Sequence, residues 1–116
     1  MEMNYTLAGS LTDISAEIGA YLKEKHSSTL FLDTTYFSGE NCDFQVDTYQ
    51  VLNLSQKGYI TINVYLSRAD MLKNELQVKV SLFSPYWNGQ THLMEKLQKE
   101  LHAFMVSHGG VPQQVT

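Results

Sequence analysis

Apolar and polar residues alternate strictly through several consecutive segments of this 116-residue chain, and two stretches of helical periodicity bracket them. Period-two alternation gives a strand one wet face and one dry face, and the dry face must be covered. A chain patterned this way folds as a sheet with helices packed against it. The clearest segment is Tyr59 to Leu66. Ile60, Ile62, Val64 and Leu66 share one face there, and Tyr59, Thr61, Asn63 and Tyr65 share the other. Leu76, Val78, Val80 and Leu82 repeat the pattern against Gln77, Lys79, Ser81 and Phe83. Pro85 ends that strand, because it has no N–H for a ladder.

Upstream, Met3 to Ala8 reads as a short strand broken by Gly9. Ser10 is a helix N-cap with Asp13 three residues on, a weak capping box. Leu11, Ile14, Ile18, Tyr21 and Leu22 then form one helical stripe that ends near His26. Thr29 to Phe37 is rich in β-branched and aromatic residues. Simple alternation places Leu30, Leu32, Thr34 and Tyr36 on one face and Phe31, Asp33, Thr35 and Phe37 on the other. After the turn at 38–41, Cys42, Phe44 and Val46 read as the dry face of the next strand, against Asp43, Gln45 and Asp47. Alternation does not set the register beyond Thr48.

Ser67 to Asn74 reads as a connection with a helical turn around Ala69 to Leu72. Asn88-Gly89 reads as a turn, and Thr91 as the cap of a last helix. Its stripe is Leu93, Met94, Leu97, Leu101, Phe104 and Met105. Gly109-Gly110 stops it. The expectation is one α+β domain over residues 1–108 with a flexible tail over 109–116. Its element order is β-α-β-β-β-β-α. Short turns make strands two to five an antiparallel meander, and strand one pairs with strand five. The sheet order is then 1-5-4-3-2, with both helices on one face.

The charge balance bounds the partners. The net charge is −4 and only 17% of residues are charged. Phosphate backbones and anionic lipid are not favoured partners for such a surface. The single cysteine, Cys42, cannot staple a monomer and reads as a small buried apolar side chain. No apolar run reaches the length of a membrane span, and the N-terminus lacks the basic start and apolar core of a signal peptide. The expectation is a cytoplasmic protein that does not engage membranes.

The element order resembles the helix-grip and TATA-box-binding-protein-like class of folds. At family level the chain resembles a group of short bacterial α+β proteins without an assigned activity. The likeness covers roughly Asn4 to Met105. It rests on the Gly9-Ser10 lead into the helix, the Ser27-Ser28-Thr29 start, the Tyr59 to Leu66 strand and the closing amphipathic helix. The chain departs from that pattern at Pro85-Tyr86-Trp87-Asn88-Gly89.

Few residues suggest chemistry. His92 and His102 sit about 80° apart around a helix, so they do not stack as metal ligands. His26 and His108 lie at helix ends. Glu40 and Asp43 flank Cys42, the reverse of an activating environment. Asp33, Asp43 and Asp47 read as neighbours on the sheet's outer face, where solvated carboxylates are routine. No catalytic residue, metal site or cofactor is expected. Trp87 reads as part of a lid over the end of the core.

The outer face draws more attention. Phe31, Phe37, Tyr59, Tyr65 and Phe83 all fall opposite the helices under simple alternation, and aromatics are favoured at interfaces. A DNA-binding sheet needs Lys and Arg along its strands, and these strands offer Lys79 alone, so nucleic acid is not an expected partner. The expectation is a non-catalytic homodimer whose interface uses Phe31, Tyr59, Tyr65, Lys79 and Phe83. Asp47 of a second copy would pair with Lys79, or an unidentified protein partner would cover this face. The alternative is a carrier of a small apolar ligand in a cavity between sheet and helices. An enzyme stands third.

Overall fold

The computed structural model describes residues 1–40, 42–54, 57–68, 73–85 and 87–113, with the backbone alone for 87–89. Its elements are β1 (Glu2–Leu7), α1 (Leu11–Lys25), β2 (Thr29–Gly39), β3 (Cys42–Asn53), β4 (Gly58–Arg68), β5 (Leu76–Phe83), α2 (Trp87–Ser107) and β6 (Val111–Pro112). They build an α+β domain with one antiparallel sheet in the order β2-β3-β4-β5-β1-β6. The expected five-strand order is present, read from the opposite edge. The sixth strand was not expected.

β6 forms where a flexible tail was anticipated. Gly109 adopts a φ of +86°, which side chains rarely tolerate, and so turns the chain back at the end of α2. Gly110 N–H donates to the Met105 carbonyl at 2.8 Å. Val111 and Pro112 then pair with Thr6 and Tyr5, and Gln113 N–H donates to the Asn4 carbonyl at 2.8 Å.

α1 starts as the pattern implies, with the Ser10 hydroxyl accepting the Asp13 N–H. α2 starts earlier than the expected Thr91 cap, so Asn88-Gly89 lies in a first helical turn and not in a reverse turn. Glycine there costs about 1 kcal/mol, little beside full burial of Leu97, Leu101 and Met105. The expected helical turn at Ala69–Leu72 lies outside the described residues, as do the surroundings of the Trp87 side chain.

The core lies on one face of the sheet. Ile60, Ile62, Val64 and Leu66 of β4 and Val78, Val80 and Leu82 of β5 are all buried there, joined by Tyr5 and Leu7 of β1 and the stripes of both helices. The helices lie side by side over it. Tyr21 and Phe104 stack with ring centroids 4.6 Å apart. His26 Nε2 contacts the Glu100 carboxylate at 2.9 Å, and the Tyr21 hydroxyl donates to the Glu100 carbonyl.

Two registers differ from simple alternation. In β3, Val51 and Tyr49 pair with Ile60 and Ile62 and carry the core face across. Parity then turns Asp47, Gln45 and Asp43 toward the helix side and Val46 and Phe44 outward, the reverse of the expected assignment. Cys42 consequently sits opposite Gly39, half-buried instead of buried. In β2 the pairing shifts between Phe31 and Asp33. This β-bulge adds one residue and exchanges the faces on either side of it. Thr29, Phe31, Thr34 and Tyr36 lie on the helix side, and Leu30, Asp33, Thr35 and Phe37 on the outer side.

The hairpin also outruns its cover. A 12-residue strand such as β3 spans about 40 Å, whereas the 15 residues of α1 span about 22 Å. β2 is therefore exposed from Leu30 to Ser38 on both faces, although it carries Leu30, Phe31, Leu32, Tyr36 and Phe37.

Candidate functional site

A groove of about 340 Å³ opens between α1 and the base of the β2–β3 hairpin. It exists because the surface of α1 facing β3 is built of small residues. Ala16, Gly19 and Ala20 line one wall. Gly19 is required by close approach: a Cβ there would stand 2.7 Å from the Tyr49 hydroxyl oxygen. The opposite wall is Phe31 and Tyr49, whose rings lie 5.4 Å apart and tilted.

At the polar end of the groove is Asp47, only 2% exposed. Its Oδ2 accepts the Ser15 hydroxyl at 2.5 Å. Its Oδ1 accepts the Thr34 hydroxyl at 2.6 Å and the Gln45 side-chain amide at 2.8 Å. The same Gln45 nitrogen donates to Ser15 Oγ at 2.8 Å, closing the network. All these donors are neutral. Among the described residues no cation lies within ion-pair distance of Asp47. Burial of the Tyr49 phenol, reinforced by the Asp47 charge, pushes its pKa up to about 12. Lys23 stands at the mouth.

The expected site residues separate. Phe31 lies on the helix side because of the bulge and lines the groove, so it does not belong with Tyr59, Tyr65, Lys79 and Phe83. Those four do share the outer face. Tyr65 and Lys79 pair directly, with the ammonium 4.5 Å from the ring centroid. Phe83 pairs with Thr61, four residues along β4 from Tyr65, so the two do not touch as one cluster. Lys79 also meets Glu2 of its own chain at 3.8 Å. Asp47 faces the helices and is buried, so it cannot reach a Lys79 of a second copy.

The three aspartates do not assemble. Asp33 is on the outer face, whereas Asp43 accepts the Tyr36 and Ser38 hydroxyls on the helix side. The histidines disperse as well: His102 Nδ1 lies 2.8 Å from the Tyr5 hydroxyl, and His108 faces Glu17 at 3.4 Å. Among the described residues no three His, Cys, Asp or Glu side chains converge to hold a metal ion. No described helix is long and apolar enough to cross a membrane.

Simple alternation places Asp47 on the outer face, so the sequence pattern alone hides the groove. The facing of Asp47 follows from the pairing of Val51 with Ile60, because counting back by twos from Val51 reaches Tyr49 and Asp47. Comparison with protein-family models, with curated proteins and with solved structures finds no match for this chain.

Proposed function

We propose that this chain is a non-catalytic association protein that self-associates by pairing the β2 edge of one copy with the β2 edge of another. The observation that carries this reading is the concentration of exposed apolar side chains on one hairpin. Of the eleven large apolar side chains exposed among the described residues, six are Leu30, Phe31, Leu32, Tyr36, Phe37 and Phe44.

β2 is an edge strand, with β3 on one side only. Natural edges are blunted by prolines, lysines, bulges or brevity. The bulge and Asp33 blunt only the first part of β2. From Thr34 to Gly39 the strand has no charge and no proline. A two-fold axis through Tyr36 would set Thr35 of one copy against Phe37 of the other, and Thr34 against Ser38, keeping every side chain on its own face. Such a contact is isologous and needs no second protein. It replaces the outer-face interface, whose Lys79 already has partners in its own chain. Lys79 is also the only cation among the outward residues of these strands, which argues against a polyanion there.

The helix-grip likeness and a reducing, cytoplasmic setting belong to the same proposal; a half-exposed free thiol at Cys42 fits the latter. The apolar-carrier alternative is less well supported, because the groove ends on a buried carboxylate.

Sedimentation equilibrium tests the reading. The parent is expected to be dimeric at micromolar concentration. Thr35→Lys with Phe37→Lys, both at exposed positions, is expected to give a folded monomer with an unchanged thermal transition at low concentration. A parent that stays monomeric at high micromolar concentration would sink the proposal.

A further inference from the structure

We propose that the groove between α1 and the β2–β3 hairpin is a binding site for a small organic ammonium ion, held by the Asp47 carboxylate. This inference does not depend on self-association. A carboxylate taken out of water is costly to leave without a counter-charge, even when neutral donors satisfy much of its hydrogen bonding. Asp47 is 2% exposed and has only the neutral donors of Ser15, Thr34 and Gln45 among the described residues. Those donors fix its orientation. Oδ1 accepts two bonds and Oδ2 one, so an acceptor position is left on Oδ2.

A second observation points into the same space. Tyr49 is 6% exposed and its hydroxyl stands over Gly19, with no hydrogen-bond partner among the described residues. An ammonium placed between Asp47 and Tyr49 would give the first a counter-ion and the second a donor. Phe31 and Tyr49 present ring surface to it, which favours a cation over a neutral group of equal size. The groove's volume of about 340 Å³ suits a small molecule. Lys23 at the mouth sets a second condition. It repels a ligand carrying a second cation and favours one with an anionic far end. The chemistry is that of an ω-amino acid more than of a diamine.

The test is a titration followed by NMR at Thr34, Asp47 and Tyr49, using 4-aminobutyrate, butylamine, 1,4-diaminobutane, butyrate and butanol. It is run on the parent and on the Thr35→Lys, Phe37→Lys variant, so that dimerisation cannot mimic binding. The amines are expected to shift these resonances saturably, 4-aminobutyrate most tightly, and the two amine-free compounds are not. Asp47→Asn is expected to weaken binding by about tenfold or more, the loss of one charge-assisted hydrogen bond. Should Asp47→Asn fail to fold, Ala20→Phe decides: Ala20 is exposed on α1, and a ring there fills the groove and is expected to abolish the shifts. Equal response to butanol and butylamine, or amine binding retained in Ala20→Phe, would overturn the proposal.

Discussion

Tyr49 shows how one side chain ties stability to solution conditions. Its hydroxyl is pushed from 10.0 to about 12 by burial, with Asp47 adding to the effect. The folded state therefore resists forming the phenolate. The associated stability is complete below pH 10, the unfolded value, and is lost as pH rises from there toward 12. Two pKa units correspond to on the order of 2–3 kcal/mol. Tyr5 and Tyr21 are raised by burial as well, Tyr21 also by Glu100, and they add in the same direction. Urea melts taken through this window are expected to show a falling midpoint in the parent and a clearly shallower fall in Tyr49→Phe. An equal fall in both would remove Tyr49 as the cause. Tyr49 and Asp47 were legible as residue types in the sequence, but their facing was not. The polar residues Asp43, Gln45 and Asp47 look solvent-bound, and only the pairing of Val51 with Ile60 reveals that they point toward α1.

At the scale of elements, alternation and helical stripes carry most of the information. β4, β5 and the start of α1 fall where the pattern places them, because each has one dry face and a clean stop. β2 does not. Its bulge inserts one residue, and every side chain on one side of it changes face relative to simple alternation. No residue type marks a bulge at Phe31-Leu32, so Phe31 was misplaced. β6 was hidden for a different reason: two residues are too few to show any period. The join between elements also rests on side chains far apart in sequence. Arg68, nearly buried at the end of β4, donates to the Lys73 carbonyl at 2.8 Å. It also donates to the Gly9 carbonyl, tying the turn between β1 and α1 to the end of β4 across the start of β5. Arg68→Met keeps the apolar stem but leaves two carbonyls without their donor. The expected loss is about 1–3 kcal/mol, read as a lower urea midpoint with an unchanged slope. A midpoint equal to the parent's would show that the tether contributes nothing.

Across the whole molecule, stability is distributed unevenly. β4 and β5 are paired on both sides and buried on one face, whereas β2 has one neighbour and little cover. Amide exchange is expected to be slowest over Ile60–Leu66 and Val78–Leu82 and fastest over Thr34–Gly39 in dilute protein. Raising the concentration is expected to slow exchange in the Thr34–Gly39 segment selectively. Uniform slowing across the sheet would instead point to a contact elsewhere. The two edges of the sheet differ in kind. One is the long, uncharged run of β2. The other is β6, two residues long and ending in Pro112, which offers no N–H to a further strand. A sheet with one long open edge and one short, proline-ended edge is far easier to extend at the first than at the second. In the proposed dimer both β2 edges are used, and each extremity ends on the short β6, which covers β1 at Tyr5 and Thr6. In the proposed pairing this asymmetry favours a finite pair over a fibre, because the edge left over offers only a two-residue strand and the Glu2–Met3 end of β1.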